Sequence, residues 1–323
     1  MRFKAALVAV MVGLVALGSV PTTASPRVAP RPQACDSPDR TETLYAEYKR
    51  PNSYEIGYSR DPGKGRIPGP ILEMTEGECL AVVLVNNTKQ KLSFHPHGLD
   101  YTVASDGSRL NNSCVQPGKS RTYVISTHGP GPRPDGTFDP GSAGYWHYHD
   151  HCLGTEHGTG GIDRGLYGAL IVRRPGDPLP DRKRQLVMHN ITFNLKRAPG
   201  TPTIRATVGE RVEFIIITHG ELMHTFHLHG HRWVDNRTGL LEGPDNTAQV
   251  IDNKTQGPGD SFGFQVVAGE HVGPGAWMYH CHIQSHSDIG MAGLFLVSDE
   301  SGRVPPAAKR AVRAFEHGDH KGN

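Results

Sequence analysis

The sequence predicts an all-β protein made of two tandem β-sandwich domains. The chain has 323 residues, which is enough for about two ordinary domains. Its 39 glycines and 25 prolines, with only 20% charged residues, favour many short strands joined by turns. The third observation is an internal repeat, because the motifs of the first half recur in the same order in the second half.

The repeat extends over most of the chain. The first half contains GECLAVVLVNN, FHPHG, PGKSRTYVI, SAGYWHYHDH and GLYGALIV; the second contains GERVEFIIITH, FHLHG, PGDSFGFQV, GAWMYHCHIQSH and GMAGLFLV. His227 follows His95 by 132 residues, and His280 follows His147 by 133. The segments are short, rich in β-branched and aromatic residues and separated by Pro-Gly turns, which predicts a duplicated sandwich domain.

The remaining segments flank these two domains. Residues 1–24 match a signal peptide, with basic residues, a short apolar run and small residues near the cleavage point; a membrane anchor is the alternative. We therefore expect a secreted, extracellular protein. We assign residues 25–39 to a flexible segment, 40–175 to domain 1, 176–300 to domain 2 and 301–323 to a flexible tail. No other run is long enough to cross a membrane, and a net charge of +2 gives no electrostatic reason to bind nucleic acid.

One of the five cysteines differs from the other four in its sequence neighbours. Cys281 stands between two histidines, whereas Cys35, Cys79, Cys114 and Cys152 do not. In an oxidising compartment four cysteines allow three disulfide connectivities, and free buried thiols are the alternative.

Histidine pairs are the strongest chemical signal in the chain. In a strand, residues i and i+2 point to the same face, so a His-x-His sequence presents two imidazoles side by side. Neutral imidazole suits copper, zinc, iron and nickel, and eight imidazoles suit a cluster of ions. His151 and His231 lie beside these motifs and are candidates for hydrogen-bonding groups around the ligands. The predicted cluster ligands form four pairs: His95 and His97, His147 and His149, His227 and His229, His280 and His282.

The stretch WMYHCHIQSHSDIGM, residues 277–291, predicts a second kind of site. In a strand, Cys281 points away from the face that carries His280 and His282, so it serves a different metal. A thiolate, two imidazoles and a weak thioether define a blue-copper site. The sequence therefore predicts one copper that is connected to the cluster through the main chain between Cys281 and its two neighbouring histidines, so that electrons can pass from one site to the other. The predicted ligands of this copper are His224, Cys281, His286 and Met291.

The HPHG, HYH, HLHG and HCHxxxHxxxxM motifs resemble those of the multicopper oxidases, in particular the bacterial two-domain small laccases, over residues 40–300. The resemblance implies cupredoxin-like Greek-key domains and four coppers per chain. It implies a type 1 copper at the Cys281 site, a type 2 copper at His95 and His227, and a type 3 pair at the other six histidines. It also implies one-electron oxidation of phenols and aromatic amines, reduction of O2 to water, and a homotrimer with trinuclear centres between chains.

Proton delivery needs further residues. Asp106 in ASDG and Asp252 in VIDN are candidate relays, and turn capping is their alternative role. Tyr101, four residues after His97, is a candidate hydrogen-bonding or electron-donating residue, with plain packing as its alternative.

Three other functions are weighed against an oxidase of aromatic donors. A copper nitrite reductase would carry its blue site in domain 1, but the repeat places Tyr148, Leu153 and Leu92 where Cys281, His286 and His224 would be needed. An electron-transfer protein would leave the eight cluster histidines unexplained. A metal-ion oxidase of the same family remains open, although the 7 methionines form no cluster.

Overall fold

The computed structural model describes residue 35 and residues 37–318. The predicted signal peptide, most of the segment 25–39 and residues 319–323 lie outside the described residues. Within the described part of the chain, no helix is both long enough and apolar enough to span a membrane.

Domain 1 is a sandwich of two four-stranded sheets, ordered β2-β1-β4-β6 and β3-β10-β9-β5. A small hairpin, β7-β8, a 3-10 turn at Val103–Ser105 and one short helix lie in its loops. The elements are β1 (Arg40–Tyr48), β2 (Ile56–Ser59), β3 (Leu72–Thr75), β4 (Cys79–Asn86), β5 (His95–Pro96), β6 (Ser120–Ser126), β7 (Gly131–Pro132), β8 (Phe138–Asp139), β9 (Gly144–His149), α1 (Thr159–Arg164) and β10 (Tyr167–Arg173).

Domain 2 repeats this arrangement with sheets ordered β12-β11-β14-β19 and β13-β21-β20-β15-β18. Its second sheet has a fifth strand at the edge, β18, and the strands β16 and β17 form a separate antiparallel pair. The elements are β11 (Arg182–His189), β12 (Thr192–Phe193), β13 (Thr203–Thr207), β14 (Arg211–His219), β15 (His224–Leu228), β16 (Trp233–Val234), β17 (Val250–Ile251), β18 (Asn253–Gln256), β19 (Ser261–Val267), β20 (Gly275–His280), α2 (Gln284–Asp288), β21 (Ala292–Ser298) and α3 (Pro306–His317).

The two domains share their strand pairing as well as their order. The pairs β1/β4 and β3/β10 are parallel in domain 1, as are β11/β14 and β13/β21 in domain 2. In both domains the strand that ends in a histidine motif, β9 or β20, pairs antiparallel with the strand that carries the preceding motif, β5 or β15. The prediction of two tandem β-sandwiches is confirmed.

The domains pack through the outer face of the β10-β9 pair and the outer face of the β11-β14 pair. A buried ion pair lies in this interface: Arg173 Nη2 is 2.7 Å from Glu213 Oε2, and the Tyr145 hydroxyl donates to Glu213 Oε1 at 2.7 Å. A buried carboxylate needs such partners, so the pair ties the two domains to one orientation. The apolar residues around it are Tyr145, Tyr167, Ala169, Ile171, Val187, Ile215 and Ile217.

Part of the predicted flexible tail is ordered. Residues Pro306–His317 form α3, with proline in the first turn and Gly318 at a φ of 85° after its end, which are typical start and stop signals. Phe315 is buried against Ala292 and Leu294 of β21. The expectation of a loose tail is therefore wrong for these residues, because an apolar stripe along the helix covers the outer face of the β20-β21 pair.

The cysteines pair as Cys35 with Cys79 and Cys114 with Cys152. This is one of the three connectivities that the sequence leaves open. Cys281 is free and fully buried, which leaves its thiol available for a metal.

Candidate metal centres

Three donor atoms form a triangle at one end of domain 2. Cys281 Sγ lies 3.8 Å from His224 Nδ1 and 3.6 Å from His286 Nδ1, and the two nitrogens are 3.3 Å apart. A point equidistant from the three corners lies roughly 2.1 Å from each, which is the length of a transition-metal bond to nitrogen or sulfur. One thiolate and two imidazoles in this arrangement fit copper.

Main-chain hydrogen bonds reach the Cys281 sulfur and hold the segment from Cys281 to Met291 in place. The Thr225 N–H donates to Cys281 Sγ at 3.5 Å. The Cys281 N–H donates to Met291 O at 3.1 Å, and the Met291 N–H donates to His286 O at 2.9 Å. Met291 is fully buried, so its side chain lies within the core that surrounds the triangle.

Strand alternation separates the triangle from the neighbouring histidines. Cys281 belongs to the buried core of domain 2, together with Tyr279 and Phe226. His280 is half-buried and His282 is exposed. The cysteine therefore faces inward and the two histidines outward, as the alternation predicts.

Each domain also brings three histidines together on its outer side. In domain 1 the candidate ligand atoms of His95, His97 and His149 all lie within 4.8 Å of one another. His97 Nε2 and His149 Nε2 are 3.0 Å apart. We call these three residues the domain 1 triad.

The domain 2 triad consists of His227, His229 and His280, which meet the same 4.8 Å criterion. His229 Nε2 and His280 Nε2 are 3.2 Å apart. Two imidazole nitrogens at this separation can both bind one metal ion, because each metal–nitrogen bond is about 2.0–2.1 Å long.

Hydrogen bonds select the tautomer that a metal needs. In domain 1, His95 Nδ1 donates to Asp106 O at 2.5 Å and His149 Nδ1 donates to Asp150 O at 2.7 Å. A carbonyl can only accept, so each Nδ1 carries the proton and each Nε2 keeps its lone pair. Domain 2 repeats the pattern at 2.8 Å in both bonds, from His227 Nδ1 to Asp252 O and from His280 Nδ1 to Cys281 O.

Burial keeps these imidazoles neutral. Desolvation lowers the pKa of His97 to about 4 and that of His224 to about 4. Burial also lowers the pKa of His280, against the effect of its hydrogen bond to the Cys281 carbonyl. Neutral imidazole is the form that binds copper.

The strand register corrects the repeat alignment. His95 pairs with His149 across β5 and β9, whereas His227 pairs with His280 across β15 and β20. Since His227 corresponds to His95, the domain 1 counterpart of His280 is His149, not His147. The counterpart of His147 is Met278, because the His97 N–H donates to His147 O and the His229 N–H donates to Met278 O, each at 2.9 Å.

The contacts of Ser93 and Thr225 extend the corrected alignment by two residues. The Ser93 N–H donates to Asp150 Oδ1 at 2.6 Å, as the Thr225 N–H does to Cys281 Sγ. Ser93 Oγ accepts from the His151 N–H at 2.8 Å, and Thr225 Oγ1 accepts from the His282 N–H at 2.7 Å. Asp150 thus stands in the place of Cys281, and His151 in the place of His282.

Ring positions agree with this assignment. The centroid of His151 lies 4.8 Å from that of His95, and the centroid of His282 lies 5.4 Å from that of His227. His147 is outside the domain 1 triad. The predictions that His147 is a cluster ligand and that Tyr148 and Leu153 replace the blue-site residues were therefore misaligned. The shared G-x-W of GYW and GAW is the sequence signal that would have set the register.

Asp106, Asp252 and Tyr101 lie beside the triads. The Asp106 and Asp252 carboxylates are 3.7 Å from His95 Nδ1 and 3.8 Å from His227 Nδ1, respectively, while their main-chain carbonyls bind those nitrogens. Burial opposes ionisation of Asp106, but hydrogen bonds from Ser108 and Asn111 hold its pKa below the ordinary value. The Tyr101 ring is half-buried, 6.3 Å from the His95 ring centroid.

His231, the other histidine flagged beside the motifs, is a hydrogen-bonding group of the kind expected. Its Nδ1 donates to His229 O at 2.9 Å and its Nε2 accepts from the Gly269 N–H at 3.0 Å. It therefore holds the end of the FHLHG segment without offering a free nitrogen to a metal.

The two triads of one chain do not meet. The domain 1 triad lies on the sheet whose outer face packs against β14 and β19 of the same chain's domain 2, where the His149 and His219 rings are 5.3 Å apart. The domain 2 triad lies on the other sheet of domain 2, with His229 exposed. Among the described residues, no group of metal-ligating atoms combines histidines of both domains.

Comparison with known proteins gives the family. Two multicopper oxidase family models match residues 63–177 and 178–301. A probable nitrite reductase-hydroxylamine oxidoreductase fusion protein of Kuenenia stuttgartiensis is 34% identical over 268 residues, which are 75% of this chain and 29% of that protein. Laccase-7 of Oryza sativa subsp. japonica is 31% identical over 38% of this chain and 20% of its own length. A ferroxidase of Homo sapiens is 30% identical over 43% of this chain and 12% of its own length.

The chain thus spans less than a third of the length of these relatives. Solved structures resemble it over most of its length. A multicopper oxidase is 25% identical with a TM-score of 0.58, covering 80% of this chain and 89% of that one. A copper nitrite reductase of Nitrosomonas europaea, 20% identical with a TM-score of 0.59 over 83% of this chain and 96% of that one, shares the fold. With both of its sandwich domains matched by the family models, the chain belongs to the multicopper oxidase family and is a small, two-domain member of it.

Proposed function

We propose that this protein is a laccase-type oxidase that removes single electrons from phenols and aromatic amines and reduces O2 to water. The observation that carries the proposal is the position of Cys281, which is part of the His224–Cys281–His286 triangle while its chain neighbour His280 is part of the domain 2 triad. Copper bound at the two kinds of site supplies one-electron transfer from the donor and four-electron transfer to O2.

The residues divide into two ligand sets. We propose that the triangle and Met291 hold one copper and that the triads, with one further histidine each, hold three. The cluster ligands in this proposal are His95, His97, His149, His151, His227, His229, His280 and His282. His151 takes the place first given to His147.

We infer that the three-copper centre forms between chains of a homotrimer. The separation of the two triads within one chain supports this, because each triad together with its further histidine offers four of the eight proposed cluster ligands. The exposed side of the domain 2 triad supports it as well. A ring of three chains brings domain 1 of one chain against domain 2 of the next and closes the symmetry.

The donor is proposed to bind at the surface beside His286, which is half-buried. Three apolar side chains next to the triangle ligands in sequence are exposed: Leu222 by 36%, Met223 by 58% and Ile289 by 45%. Such side chains favour the flat, apolar face of an aromatic donor. Glu221 and Asp288, exposed in the same two segments, favour a metal-ion oxidase as the second candidate.

Protons for O2 reduction are proposed to pass by way of the Asp106 and Asp252 carboxylates. Asp252 has a 61% exposed side chain, which supports exchange of protons with water. Secretion is also proposed: the export signal of the sequence and the two disulfides support it.

Oxygen uptake by the copper-loaded protein tests the proposal. Phenols and aromatic amines are expected to drive uptake, with water as the product and no accumulated peroxide. Uptake driven by Fe(II) or Cu(I) alone would select the second candidate. Reduction of nitrite by a reduced dye, without O2 uptake from any donor, would overturn both.

A further inference from the structure

His147 lies next to the domain 1 triad, and domain 2 of the same chain encloses it. The residue is 1% exposed. Ser261, the first residue of β19, places its Oγ 3.3 Å from His147 Nδ1. The His219 ring meets the His147 ring edge-on, with 4.9 Å between centroids. Because Ser261 and His219 both belong to domain 2, the packing of the two domains within one chain fixes the His147 ring.

The hydrogen bonds of Ser261 determine the tautomer of His147. Ser261 Oγ donates its proton to Tyr145 O at 2.8 Å, so its lone pair is what remains to accept the His147 Nδ1 proton. His147 Nε2 is then unprotonated, and it is buried with no hydrogen-bond partner. The opposite tautomer would bury an N–H donor without an acceptor, which is the less favourable arrangement.

The fixed ring lies flat against a triad histidine. The His147 and His97 rings are stacked with 4.0 Å between centroids and 28° between planes. The His97 N–H also donates to His147 O at 2.9 Å, so residue 147 holds His97 by both ring and main chain. In domain 2 the corresponding residue, Met278, makes the same main-chain bond to His229 but has no ring to stack.

We propose that His147 and Ser261 are positioning residues for His97. Ser261 holds the His147 ring in one orientation, and the stacked ring restricts rotation of His97 so that its Nε2 faces His149 Nε2, 3.0 Å away. Metal binding in domain 1 therefore depends on a contact made by domain 2 of the same chain. The inference rests on the proposed ligand role of His97.

The tautomer is measured first, in the metal-free wild-type protein labelled with 15N-histidine. Two-bond 15N–1H spectra are expected to show His147 as the Nδ1–H form. In Ser261→Ala the signal is expected to shift toward a mixture of tautomers, and Ser261→Thr, which keeps the hydroxyl, is expected to restore the wild-type spectrum. A wild-type His147 in the Nε2–H form would overturn the proposal without any variant.

Metal affinity is measured second, by titrating the copper-loaded protein with a chelator. Loss of an orienting hydrogen bond around a ligand typically costs about 10- to 100-fold in metal affinity. Ser261→Ala and His147→Met are each expected to release cluster copper at about tenfold lower chelator concentration, while the blue absorption of the Cys281 site is retained. His147→Met places in domain 1 the side chain that domain 2 uses.

The matched control is Ser120→Ala, because Ser120 occupies the corresponding place in PGKS of domain 1 and is exposed. It is expected to match wild type in both measurements, and circular dichroism checks that each variant is folded. Copper release from Ser261→Ala and His147→Met that matches the control would overturn the proposal. Neither measurement uses donor oxidation, so failure of the proposed oxidase activity would be seen separately, as absent oxygen uptake with the tautomer and copper results unchanged.

Discussion

Asp150 and Cys281 are the residues at which the two domains diverge. Asp150 is fully buried, and its carboxylate accepts from the main-chain N–H groups of Ser93, Cys152 and Leu153. Burial raises the pKa of Asp150 to about 6, although these bonds lower it. A carboxylate that is satisfied by the main chain has little capacity left for a metal, and among the described residues domain 1 forms no group equivalent to the Cys281 triangle.

Replacement of the thiolate gives the first prediction. Cys281→Ser is expected to remove the intense blue absorption and to stop donor oxidation, because a hydroxyl is a poor ligand for this kind of copper. The histidine cluster is expected to keep its copper, since Cys281 faces the opposite side of the strand. Metal analysis and visible absorption measure the two effects; a variant that stays blue would remove Cys281 from the assignment.

Met291 gives the second prediction. Met291→Leu is expected to keep the blue colour and to raise the reduction potential, because a thioether donates weakly to copper and stabilises the oxidised form. Leucine has a similar volume, so packing in the buried core is expected to change little. Redox titration measures the potential, and an unchanged or lower value would count against Met291 as a ligand.

The residue-level chemistry was largely readable from the sequence, apart from one choice. His147, His149 and His151 alternate along one strand direction, so the stretch HYHDH contains two overlapping His-x-His pairs. Spacing alone cannot select between them, because both pairs put two imidazoles on the same face. The shared G-x-W that precedes the two motifs favours the second pair. The pairing of β9 with β5, two segments that are distant in the chain, selects the same pair in the structure.

At the scale of single elements, the loop that follows β6 is held by a histidine between two carboxylates. His128 Nδ1 is 2.5 Å from Asp100 Oδ2, and His128 Nε2 is 3.0 Å from Asp139 Oδ1. Burial lowers the pKa of His128, but the two carboxylates outweigh burial and raise it above its ordinary value. Asp139 is also paired with Arg133. The ion pair between His128 and Asp100 therefore holds the loop after β6 against the segment that follows the HPHG motif.

The third prediction is a pH-dependent loss of stability. The pKa of His128 is higher in the folded protein than in the unfolded chain. Its contribution to the free energy of unfolding is therefore fully present below the unfolded-state pKa of about 6.5, and it is lost as the pH rises through the folded-state pKa. His128→Gln is expected to lower the melting temperature at about pH 5.5 and to change it little at about pH 9. Thermal unfolding at the two pH values measures this. Equal shifts at both would show that charge on His128 is not the cause.

Helix α3 was missed although its signals are local. Pro305 precedes the helix and Pro306 begins it, and Gly318 follows it. Ala308, Val312 and Phe315 repeat at intervals of four and three residues. These features favour an amphipathic helix. What the sequence does not give is the surface that the apolar stripe covers, and that surface exists only after β20 and β21 have paired.

The fourth prediction concerns this docking. Phe315 is 4% exposed, and removal of a buried phenylalanine ring costs about 3–5 kcal/mol. Phe315→Ala is therefore expected to release α3, so that trypsin cleaves at Lys309, Arg310 and Arg313 faster than in wild type. The exposed Glu316 supplies the control, Glu316→Ala, which keeps all three cleavage sites and is expected to leave the helix docked. An unchanged cleavage rate in Phe315→Ala would contradict the docking.

At the scale of the whole molecule, the fifth prediction tests whether chains share their clusters. His149→Ala and His280→Ala remove corresponding triad members in domain 1 and domain 2. Each variant alone is expected to be inactive in oxygen uptake. In mixed trimers, domain 1 of a His280→Ala chain meets domain 2 of a His149→Ala chain, and that centre is intact, so partial activity is expected to return.

Two tags on the two chains allow mixed trimers to be purified before the assay. Homogeneous trimers of each variant, mixed only after folding, are the control. Purified mixed trimers that remain at background uptake would show that both halves of a cluster come from the same chain.

The β9-β10 face of domain 1 and the equivalent β20-β21 face of domain 2 pack against different elements. Domain 2 covers the β9-β10 face of domain 1, and α3 covers the β20-β21 face of domain 2. Domain 1 uses this face to bind domain 2. In domain 2 the equivalent face is already covered by helix α3. A third copy of the β-sandwich domain could bind domain 2 in the same way only if it displaced α3. While the twelve-residue helix α3 stays docked, a further β-sandwich therefore cannot pack on domain 2 in the way that domain 2 packs on domain 1.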